Sequence, residues 1–317
     1  MEELLKSAKI AVHNCMGVKK GENVLIITDE PLRKIGQALW KAAKEIAGEA
    51  MLLEIISRTS NGEEPPSMVA DFMKRFDVVL IPTSRSMTHT KARRDACEAG
   101  ARVATLPGIT EDSMKRTLSA DYNKIAERSL KLIKILSGKK EAKVKTPAGT
   151  DITMKIEGRD WEPDTGLYHR PGEFGNLPAG EAYIAPLEGT ANGVIIVDGA
   201  MAGVGVVKKA IKLVVKDGFV TEISGDKSAK ELEKSIEPFG KPARNIAELG
   251  IGTNDKARVI GNVLEDEKVM GTVHMAIGDN KSMGGNVSVQ SHLDGILIKP
   301  TLEIDGQIIM KDGVLKI

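Results

Sequence analysis

His292-Leu293-Asp294 joins two metal-type ligands at the shortest spacing a strand allows. Residues two apart on a strand point to one face, so this imidazole and carboxylate can grip one ion or two neighbouring ions. A second imidazole, His274, lies in Thr272-Val273-His274-Met275-Ala276-Ile277-Gly278. Its same-face neighbours on a strand are Thr272, Ala276 and Gly278, all small, while Val273, Met275 and Ile277 face the other way and read as core. Two carboxylates stand apart from the other charged positions. Glu248 lies in Ile246-Ala247-Glu248-Leu249-Gly250-Ile251-Gly252, where alternation puts both glycines on its own face and leaves clearance for a bulky group or a second backbone. Glu181 follows the turn Asn176-Leu177-Pro178-Ala179-Gly180 and starts a strand-like run, a position open to a ligand and equally to a solvated turn residue.

These ligands need a scaffold, and the composition bounds it. At 317 residues the chain is longer than most single cores support, which predicts two domains. A balance of 45 basic against 44 acidic residues argues against electrostatic capture of nucleic acid or an anionic membrane, leaving a small molecule as the expected partner. Cys15 and Cys97 have no Cys-x-x-Cys companion, which fits a reducing, cytoplasmic setting rather than a disulfide framework. Leu4, Leu5, Ala8, Ala11, Val12, Cys15 and Met16 recur at helical spacing and describe an amphipathic helix rather than a signal peptide. No apolar run approaches the roughly 20 residues of a membrane span.

Residues 1–138 alternate strand and helix. Short apolar runs at 23–28, 51–56, 78–82 and 102–106 alternate with helical stretches at 32–47 and 88–99. That pattern predicts an open α/β domain with a mostly parallel sheet. Thr28-Asp29-Glu30-Pro31 follows the first strand without the glycine loop of a dinucleotide site. A helix over about 120–136 ends at Ser137-Gly138-Lys139-Lys140, the expected boundary. Residues 139–317 carry hairpin signals, among them Asp217-Gly218 and Asp305-Gly306, and read as a β-rich α+β domain with helices near 228–237 and 255–263.

Taken in order, Asn176-Leu177-Pro178-Ala179-Gly180-Glu181, Ala247-Glu248-Leu249-Gly250, the run Gly261 to Lys268 leading to His274-Met275-Ala276-Ile277-Gly278, and His292-Leu293-Asp294 resemble the motifs of the thermophilic metalloaminopeptidase family of aminopeptidases T and S. The resemblance implies an N-terminal α/β domain, a β-rich metal domain and a homodimer. It also implies two divalent ions, zinc, cobalt or manganese, held by Glu181, Glu248, His274, His292 and Asp294, and hydrolysis of N-terminal residues from small peptides by metal-activated water. Such a centre polarises the scissile carbonyl between ions roughly 3.5–4 Å apart. Glu248 is then the candidate general base, and Lys281 and Asn286, between the histidines, are candidates to orient substrate.

The sequence departs from that pattern between the histidines. The interval is compressed to Gly278-Asp279-Asn280-Lys281-Ser282-Met283-Gly284-Gly285-Asn286, and the family's tyrosine has no counterpart there. This compressed form is also similar to distant relatives that bind one iron and open a dihydroxypyridine ring with oxygen. For that chemistry His274, His292 and Asp294 would suffice with Fe(II). The aminopeptidase is the main expectation, the dioxygenase the alternative, and a non-catalytic binding protein on the same fold a third. His13 reads as a helix residue, while His89, after a strand end, lies where a ligand crevice can form.

Overall fold

The computed structural model describes residues 2–317 and divides into two compact units. One runs to Ala126 and takes in Asp164–Ala179, and the other comprises Glu127–Pro163 and Gly180–Ile317. The division falls within the helix Tyr122–Leu136. The expected fold class is observed: a parallel sheet with helices in the first unit and antiparallel, β-rich sheets in the second.

In the first unit the strands lie in the order Glu49–Ile55, Asn23–Asp29, Val78–Ile81, Arg102–Thr105 and Phe174–Asn176, each pair parallel. Continuous apolar runs such as Val78-Val79-Leu80-Ile81 are fully buried, as parallel strands covered on both faces require. The fifth strand is not among the apolar runs that the sequence marks as strands. Its Gly175 is required by packing, because a Cβ there would lie 2.1 Å from the Tyr168 hydroxyl. That hydroxyl sits 2.9 Å from both Asp164 Oδ1 and the Asn176 carbonyl. The N-terminal helix Glu2–Lys9 passes into a wider π-type stretch over Ile10–Cys15 with Ala11, Val12 and Cys15 buried. No helix among the described residues is long and apolar enough to cross a membrane.

In the second unit an eight-stranded sheet contains the hairpin Glu141–Lys145 with Asp151–Lys155 and supports the core. Asp217-Gly218 and Asp305-Gly306 adopt positive φ at both residues, as the tight hairpin turns require. A second antiparallel sheet carries the candidate ligands on its central strands, Glu181–Ile184, Ile246–Gly252, Val273–Gly278 and His292–Leu297, which neighbour one another in that order. The helix Lys227–Ile236 forms close to its expected span. The helix expected over 255–263 does not form, and only Val263–Asp266 is helical, capped by Asn262. The preceding loop bonds inward instead: Arg258 N–H donates to Glu265 Oε1, and the Ile260 and Gly261 N–H groups donate to Asp266 Oδ1.

One ion pair of the first unit is nearly closed to water. The Arg102 guanidinium, 4% exposed, forks onto Glu22 at 3.0 and 2.7 Å, and its Nε–H donates to the Met16 carbonyl at 3.1 Å. Removing the carboxylate leaves a buried cation without its partner. Glu22→Ala is expected to destabilise by about 3 kcal/mol, read as a lower urea midpoint, whereas loss of an exposed pair such as Lys6 with Glu2 leaves the midpoint unchanged.

Candidate metal centre

Strand register brings the ligands together. Gly250 pairs with His274 across the central strands, Gly252 with Glu181, Ala276 with Asp294 and Gly278 with His292. The glycines make the site possible. A Cβ on Gly250 would lie 1.9 Å from His274 Nε2, so the imidazole lies across a strand with no side chain at that point. A Cβ on Gly252 would lie 2.1 Å from the Val269 carbonyl, so a second backbone occupies the other clearance. The register slips between Ile246 and Glu248, a bulge that falls beside the Glu248 carboxylate. The opposite face behaves as expected, with Val273, Met275 and Ile277 in the hydrophobic core.

The five ligand-type residues form a row with Glu248 in the middle. Glu248 Oε1 lies 3.1 Å from His274 Nε2, and Oε2 lies 3.1 Å from His292 Nε2. His274 Nε2 is also 3.3 Å from Glu181 Oε2, and His292 Nε2 is 3.6 Å from Asp294 Oδ1. Two groups can each hold a cation: Glu181, Glu248 and His274 at the inner end, and Glu248, His292 and Asp294 at the outer end. His274 is wholly buried, whereas the His292 side chain is 32% exposed, so the outer group is the one that solvent reaches. The triad His274, His292 and Asp294 does not converge as one group, because Glu248 stands between the imidazoles.

The surroundings tune these ligands. The Asp279 carbonyl lies 2.7 Å from His292 Nδ1, which fixes the proton there and leaves Nε2 to face the carboxylates. At the inner end Lys268, 2% exposed, places its ammonium 2.5 Å from Glu181 Oε1 and 2.8 Å from Glu267 Oε1. Neither Lys268 nor Glu267 is among the residues that strand alternation marks as ligands, because a run of charge carries no period that signals burial. The only signal was their place inside the family-like segment. Lys281 and Asn286 are exposed, and neither belongs to the two groups. Their loop is held by Glu188, which accepts from Asn280 Nδ2 at 2.9 Å and Asn286 N–H at 2.7 Å while pairing with Arg159 at 2.6 Å.

Burial and mutual charge pull the titrations apart. Burial works against a charged His274, but the hydrogen bond to Glu248 and the charges of Glu181 and Glu248 carry it up to about 9. His292 is raised well above its ordinary value, burial again opposing and Asp294 and Glu248 prevailing. Glu248 moves the other way: burial pushes its carboxyl up, and the hydrogen bonds from both imidazoles pull it below the usual range. At Glu181 burial dominates and raises the carboxyl to about 8, with Lys268 pulling it down and Glu267 pushing it up. A divalent cation fits this set. Glu181 Oε2 and Asp294 Oδ1 are buried with no hydrogen-bond partner, and the mixed imidazole and carboxylate donors suit a first-row metal.

The comparisons with known proteins bear on which chemistry such a site performs. The family model described as NicX: 2,5-dihydroxypyridine 5,6-dioxygenase matches residues 4–317. A 2,5-dihydroxypyridine 5,6-dioxygenase of Pseudomonas putida is 23% identical over 256 residues, covering 74% of this chain and 70% of that protein. The solved 2,5-dihydroxypyridine dioxygenase from Pseudomonas putida KT2440 superposes with a TM-score of 0.84 at 18% identity, over 98% of this chain and 96% of that one. Wild-type AmpT from Thermus thermophilus superposes with a TM-score of 0.75, also at 18% identity, over 100% and 99%. The likeness to aminopeptidase T is therefore one of fold. The main expectation of a hydrolase acting as a metalloaminopeptidase and exopeptidase is corrected, because the family match and the related sequence both name the dioxygenase. The motifs misled because Glu181, Glu248, His274, His292 and Asp294 are residue types that either chemistry can use.

Two outcomes test this geometry. Gly250→Ala drives a methyl into the His274 ring, with an expected loss of about 1–3 kcal/mol and of metal binding, read by thermal melting and metal titration. The raised imidazoles also set a pH dependence. A group whose folded pKa exceeds its unfolded 6.5 contributes its full stability below 6.5 and loses it as pH climbs through about 9. The metal-free protein is thus expected to show a lower urea midpoint at about pH 9.5 than at about pH 6. Metal affinity moves the opposite way, rising with pH as the ion displaces those protons.

Proposed function

The chain belongs to the 2,5-dihydroxypyridine 5,6-dioxygenase (NicX) family, and we propose that it is a ring-cleaving dioxygenase acting on a hydroxylated pyridine-type ring with one Fe(II). The observation that carries the reading is the outer group. His292 reaches solvent there between two buried carboxylates, Glu248 and Asp294, so three protein donors meet at a point a small planar substrate can approach. Three donors leave coordination positions for two further molecules, the arrangement of non-haem iron oxygenases. Bound there, ferrous ion supplies the electron-transfer chemistry that lets dioxygen react with a closed-shell ring.

The chain's own residues do the rest. Glu248, His292 and Asp294 hold the ion, and the Asp279 carbonyl keeps the His292 ring in the tautomer that offers Nε2. His274 holds a proton at Nε2, shared with Glu248 Oε1, which turns the other oxygen of Glu248 toward His292. Gly278 beside His292 lets the Ser291 backbone close in, since a Cβ there would lie 2.0 Å from the Ser291 carbonyl, and this seats the start of the strand that carries His292 and Asp294. Exposed Lys281 and Asn286 stand on the loop between the histidine strands, where they meet an incoming anionic or carbonyl group.

The test is made on protein purified without oxygen and loaded with Fe(II). Expected are one iron per chain by elemental analysis and oxygen uptake equimolar with loss of 2,5-dihydroxypyridine absorbance. His292→Ala and Asp294→Ala are expected to lose both the iron and the uptake. Hydrolysis of amino-acid amides without oxygen uptake, or protein that takes up no metal, overturns the reading.

A further inference from the structure

Lys268 lies outside every role assigned so far, yet it is among the largest side chains that water does not reach. A buried ammonium is costly unless it is paired, and this one is paired twice, with Glu181 Oε1 at 2.5 Å and Glu267 Oε1 at 2.8 Å. The backbone is built to put it there. Asn254 N–H donates to the Lys268 carbonyl at 2.9 Å, and Asn254 bridges to Val269. The Lys268-Val269 segment lies against Gly252, where a Cβ would be 2.1 Å from the Val269 carbonyl and 2.9 Å from the Lys268 carbonyl carbon. Gly252 is the register partner of Glu181 on the neighbouring strand. Lysine and glutamate are therefore brought together by two strands and a glycine, not by a chance rotamer.

Resting on the metal reading above, we infer that Lys268 is a positioning residue for the metal centre, acting through Glu181. With Oε1 held by the ammonium, Glu181 presents Oε2, which has no hydrogen-bond partner, 3.3 Å from His274 Nε2. His274 in turn leans on Glu248 Oε1, and Glu248 gives its remaining oxygen to the outer group. The inner end of the row thus sets the orientation of the one carboxylate that both groups share. Without Lys268, Glu181 is free to turn, His274 loses a fixed neighbour, and Glu248 is no longer held toward His292.

The test uses the metal-free full chain titrated with Co(II), whose visible bands report ligand geometry, alongside Lys268→Met and Lys268→Gln. Lys268→Met removes the donor and the charge, and a rise in the Co(II) dissociation constant of about 10–100-fold with altered bands is expected. Lys268→Gln keeps a donor for Glu181 Oε1, so its affinity and bands are expected between those of wild type and Met. It also carries the test if the Met variant does not fold. Wild-type affinity and bands in a folded Lys268→Met variant, even one with a lower melting temperature, overturn the inference and leave Lys268 a packing residue. Wild-type protein that binds neither Co(II) nor Fe(II) overturns the metal reading itself, a different result from the first.

Discussion

Charge that cannot reach water must be answered within the protein, and one sheet face of the second unit is organised around that requirement. Glu181, Glu248 and Asp294 are nearly closed to solvent, where an uncompensated carboxylate costs several kcal/mol. The structure answers by alternation. From Glu267 the row passes through Lys268, Glu181, His274, Glu248 and His292 to Asp294, so nitrogen and carboxylate succeed one another along its length. Alternation is incomplete, however: Glu181 Oε2 and Asp294 Oδ1 still lack hydrogen-bond partners. A set that is almost but not fully neutralised is what a cation completes.

The strands supply the precision that this row demands. An imidazole can cross the strand Ile246–Gly252 only where Gly250 has no Cβ, and the Lys268 segment can approach only over Gly252. Access differs between the two ends. His274 and Lys268 seal the inner end, while His292 opens the outer one. Of the two groups, the outer one is therefore the one that solvent reaches without disturbing the core. The loop carrying Lys281 and Asn286 is tied back by Glu188 and Arg159, so the segment between the histidine strands is bonded backbone rather than a loose connection.

Much of this was legible in the sequence, for physical reasons. Period-two alternation placed His292 and Asp294 on one face, and the small neighbours of His274 and Glu248 marked a face that something must approach. The continuous apolar runs fixed the parallel sheet, and the Asp-Gly pairs fixed the hairpins. What escaped were features whose local pattern carries no sign of burial. Glu265, Asp266 and Lys268 lie in a charged stretch with no apolar periodicity, yet each is buried: the two carboxylates receive loop N–H groups and the lysine pairs with Glu181. The same inward bonding removed the helix expected over 255–263. Phe174-Gly175-Asn176 is too short to announce a strand, and its residues are explained by contacts far away in sequence: Arg93 over the Phe174 ring, Tyr168 packed on Gly175, and Asn176 Nδ2 donating to Thr105 Oγ1.

The misreading of the reaction has a different origin. Ligand residues record what a scaffold can bind, and the same glutamates, histidines and aspartate serve a hydrolase or an oxygenase equally well. A dinuclear hydrolase needs both groups of the row filled, whereas a mononuclear oxygenase needs one group with free positions. The strands that carry Glu181, Glu248, His274, His292 and Asp294 offer both arrangements at once. What separates the two cases lies beyond the ligand types, and the sequence departs from the aminopeptidase-like pattern in the compressed segment between the histidines, which has no tyrosine. A ligand set constrains only the ion, so the reaction is decided by what the rest of the chain brings to that ion.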